Sequence, residues 1–163
     1  MTFLKKILME KNHPGIQFFK YSLFGGFAFG ADIITFFLMA WFFFPALTEN
    51  DIPVKLFQLE IQPVSDSVRT INFVICSAVA FLVSNMTAYI LNVLFVFKAG
   101  KHGFWKELGL FYLVSGVSIA IGTAVGALLI TQFGLSTTFS YIAKAIAATL
   151  INYAGRKFFI FHG

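Results

Sequence analysis

Four long apolar stretches set the limits on what this chain can fold into. They run over about 17–44, 71–97, 108–130 and 139–161. A bilayer core about 30 Å thick takes roughly 20 apolar residues as α-helix, so each stretch is long enough to cross it. Backbone polar groups find no water in lipid, and a helix satisfies them within its own segment. The expected fold is all-α: an integral-membrane four-helix bundle forming a single domain over residues 1–163. The first two stretches exceed a perpendicular crossing, and tilt absorbs the excess. Charge supports this reading. Only 12% of the residues are charged and 58% are hydrophobic, whereas soluble domains carry about 25% and about 45–50%. So few charges cannot cover a water-facing surface, and 23 phenylalanines are foreign to a disordered chain.

The basic residues predict orientation, because cytoplasmic segments are enriched in Lys and Arg. Lys5, Lys6, Lys11 and Lys20 precede or open the first span, Lys98, Lys101 and Lys106 lie between the second and third, and Arg156 and Lys157 close the fourth. The loop at about 45–70 has only Lys55 and Arg69, and it holds Glu49, Asp51, Glu60 and Asp66. Both termini are therefore expected in the cytoplasm, with the protein multi-pass in the cytoplasmic membrane. The net charge of +5 is a topology signal and does not point to nucleic acid. The apolar run after Lys20 is too long for a cleaved leader and no small-x-small site follows it, so the first span is expected to be retained. In the outer loop, Phe57, Leu59 and Ile61 alternate with Gln58, Glu60 and Gln62. This strand-like period predicts a segment lying on the membrane surface.

Residues 89–97 and 153–161 resemble each other at an offset of 64, with Tyr89, Phe95 and Phe97 matched by Tyr153, Phe159 and Phe161. Two repeated helical hairpins would explain this, and transporters often place sites at repeat interfaces. Chance likeness of two aromatic helix ends at a membrane interface would explain it too. Gly26 and Gly30, and then Ser118, Gly122 and Gly126, form four-residue stripes that let helices approach closely. Cys76 is the sole cysteine and reads as a packing residue, and His13, His102 and His162 are too scattered to ligate a metal. No cofactor motif is present.

Charges within spans are costly and mark function by default. Asp32 is mid-span in the first stretch and Lys144 lies in the fourth, about 18 Å and about 8 Å from the outer ends at the helical rise. They are read as a substrate site, as a structural pair, or as a Lys144 that snorkels to the headgroups. Asn85 and Asn92 share a face of the second span, and Asn152 and Arg156 share one on the fourth. Amides can also serve simply to bond helices together. The cations and amides of the fourth span form a polar track suited to an anionic headgroup, with phosphate the obvious candidate.

Three segments carry a family resemblance: Phe18-Phe19-Lys20-Tyr21 with Gly25-Gly26 and Asp32; Asn92-Val93-Leu94-Phe95-Val96-Phe97; and Ala143-Lys144-Ala145 through Leu150-Ile151-Asn152-Tyr153 to Phe159-Ile160-Phe161. In these, and over about 16–161, the chain resembles the GtrA-like family of small four-span membrane proteins. Val93 stands where that family usually has a basic residue, and the outer loop is longer than usual. The resemblance implies a non-enzymatic flippase that moves a polyprenyl-phosphate-linked sugar across the membrane for cell-surface glycan assembly. It carries Lys20, Asp32, Asn92, Lys144 and Asn152 over as candidate substrate-binding positions. Arg156 and Asn85 join them from the polar-track and shared-face arguments. Four helices enclose little volume, so a homo-oligomer or a lipid-open groove is expected. The rival readings are a small multidrug-type exporter coupled to protons through Asp32, and a membrane partner of a glycosyltransferase without transport of its own.

Overall fold

The computed structural model describes residues 14–96 and 104–155. Among the described residues five α-helices follow one another: α1 (Pro14–Phe42), α2 (Ile52–Phe57), α3 (Asp66–Leu91), α4 (Phe104–Phe133) and α5 (Thr137–Gly155), with a π-helical turn, Asn92–Val96, continuing α3. Among the described residues there is no strand. Three helical segments, Phe19–Phe42, Asp66–Phe95 and Ser115–Phe133, are long and apolar enough to cross a membrane, and the apolar run Thr137–Ile151 is shorter. The fourth predicted stretch continues past Gly155 outside the described residues. The protein is thus an all-helical, multi-pass membrane bundle.

Local chemistry sets the helix ends. Pro45 follows α1, and Ser65 caps α3 by accepting the Val68 N–H at 3.5 Å. Gly134, at φ 60°, turns the chain between α4 and α5, a conformation that costs glycine little. With only residues 134–136 between them, α4 and α5 are antiparallel neighbours and pack closely. Helix α1 packs on α3, and α3 joins the two pairs by contact with α4. The likeness between residues 89–97 and 153–161 falls largely outside the described residues.

Packing follows rows of residues four apart, the ridges by which crossed helices interdigitate. On α1 the buried row is Lys20, Phe24, Ala28, Asp32, Phe36 and Ala40. On α4 it is Ser118, Gly122, Gly126 and Ile130. A Cβ on Gly122 would sit 2.6 Å from the Lys144 carbonyl oxygen, and one on Gly126 would sit 2.6 Å from the Phe73 ring and 2.9 Å from the Ser140 carbonyl oxygen. The second stripe therefore lets helices approach closely, as its spacing predicts, and does so within the chain. A Cβ on Gly26 or Gly30 would meet nothing within 4 Å, so among the described residues no helix approaches closely at that stripe.

Burial is inverted relative to a soluble protein. Phe19, Phe27, Ile34, Leu113 and Leu128 are exposed, while Lys20, Asp32, Asn85, Asn92 and Lys144 are buried. Ionisable groups in membrane bundles face inward in this way. Near the loop end an apolar cluster of Phe36, Phe73, Ile130 and Tyr141 closes the bundle. Phe36 meets Phe73 edge-on at 5.2 Å and Tyr141 at 4.5 Å between ring centroids, contacts worth about 0.5–1.5 kcal/mol each beyond area burial.

The loop departs from the strand-like expectation. Its Ile52–Phe57 segment is helical, with Asp51 at the N-cap position, Pro53 in the first turn and a left-handed Gln58 ending it. Leu59 and Ile61 then pack against the core cluster, and Phe57 stays exposed. Asp51 is the anchor of this region. It accepts the Thr48 N–H at 2.7 Å, the Thr48 hydroxyl at 2.9 Å and the Thr138 N–H of α5. The Ile52 N–H returns a bond to the Thr138 hydroxyl at 3.2 Å.

Candidate functional site

Asp32 is the centre of the site. It sits midway along the α1 row, so its carboxylate enters the space between α3 and α5. There it accepts the Ser84 hydroxyl on Oδ1 at 3.0 Å and the Tyr141 hydroxyl on Oδ2 at 2.5 Å. Lys144 Nζ lies 3.5 Å from the same Oδ2. The ammonium also stands over the ring faces of Tyr141 and Phe36, at 4.3 and 5.1 Å from their centroids. Lys144 is 1% exposed and Asp32 7%, so the pair is shielded from solvent screening. A pair in such surroundings is held by Coulomb attraction and by the hydroxyl and ring contacts, set against a large desolvation cost.

Gly122 fixes where Lys144 stands. Its missing side chain lets α4 approach the Lys144 carbonyl. The difference in depth between Asp32 and Lys144 is bridged by the lysine stem, and the ammonium does not snorkel to an exposed position.

Beside this pair lies a cavity of about 270 Å³, bounded by all four long helices. Asp32 and Lys144 line it, as do Ser84, Asn85 and Asn92. The two asparagines are seven residues apart, about 10 Å along the helix, so the α3 face expected from their spacing is the cavity wall. Both are nine-tenths or more buried. Among the described residues, Asn85 Nδ2 and Asn92 Oδ1 nevertheless have no hydrogen-bond partner. Buried polar atoms are nearly always paired. A donor and an acceptor are thus left open on one cavity wall.

Lys20 is placed differently. It is buried at 1% exposure and donates to the Phe95 carbonyl at 2.9 Å, and it does not line the cavity. It braces the π-helical turn that begins at Asn92, where the Phe24 ring also stacks on Phe95 at 5.2 Å. Asn152 falls in the last turns of α5 with its side chain outside the described set, and Arg156 lies outside the described residues.

Sequence reading missed Ser84 and Tyr141, the two hydroxyl donors to Asp32. Ser84 adjoins Asn85, and Tyr141 precedes Lys144 by three residues, a spacing that puts both α5 residues on one face. That spacing was the available signal.

A family model described as GtrA/DPMS, transmembrane domain, matches residues 20–161. A Bacillus subtilis (strain 168) protein described as uncharacterized membrane protein YwcD is 27% identical over 97 residues, which cover 58% of this chain and 76% of that protein. No solved structure matches the chain.

Proposed function

The chain belongs to the GtrA/DPMS transmembrane domain family, and from that premise we propose that it moves a polyprenyl-phosphate-linked sugar across the cytoplasmic membrane. The observation that carries the reading is the pairing of a buried Lys144–Asp32 couple with the open amides of Asn85 and Asn92 on one cavity. Sugar hydroxyls both donate and accept, which matches an unpartnered Nδ2 and an unpartnered Oδ1. A phosphate matches the ammonium.

Lys144 rests on Asp32 when the cavity is empty. An entering phosphate competes with the carboxylate for the ammonium, while Ser84 and Tyr141 keep donating to Asp32. The released carboxylate is therefore still satisfied by two hydroxyls, which lowers the cost of separating the pair. The sugar lies along the α3 wall. Asn152 and Arg156 are assigned to the cytoplasmic end of the track, and Lys20 holds the turn that carries Asn92. On this reading both termini are cytoplasmic, and the 45–65 segment closes the outer end. A cationic drug fits the cavity less well, because Lys144 neutralises the carboxylate that would attract it.

The test is reconstitution. Purified protein in proteoliposomes is expected to deliver an isotopic polyprenyl-phosphosugar into the lumen. No transport by folded protein in any orientation would overturn the function. Undiminished transport by Lys144→Ala would overturn the residue assignment. Flux appearing only with a co-purified glycosyltransferase would favour a partner role.

A further inference from the structure

The polar cavity has an apolar neighbour. Between α1 and α5 lies a crevice of about 520 Å³, walled mainly by Ile33, Phe37, Ile142, Ile146 and Leu150. Phe29, Ala145 and Thr149 line both spaces, so the two adjoin. The crevice exists because α1 and α5 do not pack along their length. They meet through the rings of Phe36, Phe37 and Tyr141 and through the bonds of Asp32 to Tyr141 and Lys144.

The polar groups of the crevice are already engaged. The Thr149 hydroxyl donates to the Ala145 carbonyl at 2.8 Å. The Thr138 hydroxyl accepts the Ile52 N–H, and the Tyr141 hydroxyl is given to Asp32. What the crevice offers a guest is hydrocarbon. The cavity beside it offers an ammonium and two open amides. Two adjoining spaces of opposite character select a guest with the same division.

We propose that the α1–α5 crevice holds the phosphate-proximal end of a single hydrocarbon chain whose phosphate and polar headgroup occupy the adjoining cavity. This rests on the lipid-linked substrate proposed above. Tyr141 is the partition: one side of the residue lines the crevice, its ring faces Lys144 at 4.3 Å and its hydroxyl touches Asp32. An anion at Lys144 is thus about one aromatic ring from hydrocarbon, which suits a chain esterified directly to phosphate. A glycerophospholipid would put a glycerol, two esters and a second chain into that interval. A peptide would find no free hydrogen-bonding side chain in the crevice for its backbone. The seam between α1 and α5 is then the side entrance by which the lipid joins the protein without leaving the bilayer.

The experiment uses the whole protein in nanodiscs and a prenyl monophosphate, lacking any sugar, with a photoreactive diazirine near its phosphate end. Crosslinks are expected on Ile33, Ile142 and Ile146 and should be competed by unlabelled prenyl phosphate. Ile142→Trp and Ile146→Trp fill the crevice from positions that are 43% and 57% exposed, so the core is untouched. They should weaken prenyl-phosphate binding about tenfold or more, the loss expected when a few methylenes leave an apolar site. Leu128→Trp, on the exposed face of α4, should not. Labelling spread evenly over lipid-facing residues, unchanged binding by both tryptophan variants, or equal labelling by a photoreactive phospholipid that prenyl phosphate cannot displace would overturn the proposal. Specific labelling without sugar transport would remove the transport reading and leave the crevice. Transport with unspecific labelling would do the reverse.

Discussion

Tyr141 donates its hydroxyl to Asp32 at 2.5 Å and lays its ring against the Lys144 ammonium at 4.3 Å. One side chain therefore holds both members of the buried pair, the anion by its edge and the cation by its face. Tyr141→Phe separates these roles. The ring contact stays and the bond to the carboxylate goes, at a cost of about 1.5–3 kcal/mol for a hydrogen bond to a charged group. Thermal unfolding in detergent should show the loss, and transport should fall several-fold while the fold persists.

Asp32→Asn strands the Lys144 charge. Removing one partner of a buried pair costs about 3–5 kcal/mol, whereas replacing both with groups of similar size is often neutral. Asp32→Asn alone should unfold well below the parent, and Asp32→Asn with Lys144→Met should recover most of the stability. Transport should remain absent in both. Recovery of transport in the double variant would show that the pair serves the fold alone.

Asn85→Leu and Asn92→Leu carry the opposite sign. The open amide atoms make no bond among the described residues, so removing them should leave stability unchanged or raise it by about 1–3 kcal/mol, the desolvation penalty of an unpaired buried group. Sugar-lipid transport should drop by about tenfold, the worth of one hydrogen bond at about 0.5–1.5 kcal/mol. Lower stability in both variants would identify them as helix-bonding amides.

Gly122 and Gly26 should respond in opposite directions. Gly122→Ala drives a methyl into the Lys144 carbonyl, an overpacking that costs about 1–3 kcal/mol. Gly26→Ala enters open space, and the helix gains about 0.5–1 kcal/mol from the stiffer residue. Unfolding midpoints of the two variants in one detergent give the comparison directly.

Asp51→Asn should loosen the loop. It weakens three bonds at once, one of them to the Thr138 N–H of α5. Faster hydrogen exchange at the Thr48 and Thr138 amides and new protease cleavage within 45–65 are expected, with α3 and α4 unaffected.

The helical architecture was legible because apolar length leaves lipid-exposed backbone one solution. The Gly122–Gly126 stripe was legible for a similar reason, since small residues at constant spacing serve close approach. Asp32, Lys144, Asn85 and Asn92 stood out because polarity is rare where they lie, and the structure gathers all four on one cavity. Ser84 and Tyr141 did not stand out, because hydroxyl and aromatic residues are ordinary in such helices and only a partner distinguishes them. The π-helical turn at Asn92–Val96 has no proline or glycine to announce it. Helix α2 was hidden by the alternation of Phe57, Leu59 and Ile61, although Asp51 with Pro53 in the first turn is a helix-start signal.

The row on α1 runs Lys20, Phe24, Ala28, Asp32, Phe36, Ala40, and no two neighbours in it are chemically alike. It is a ratchet with unmatched teeth. Sliding α1 by one step would bring Ala28 or Phe36 to the place of Asp32 and leave the Lys144 ammonium without its counter-charge. The row thereby fixes the longitudinal register of α1 against its neighbours.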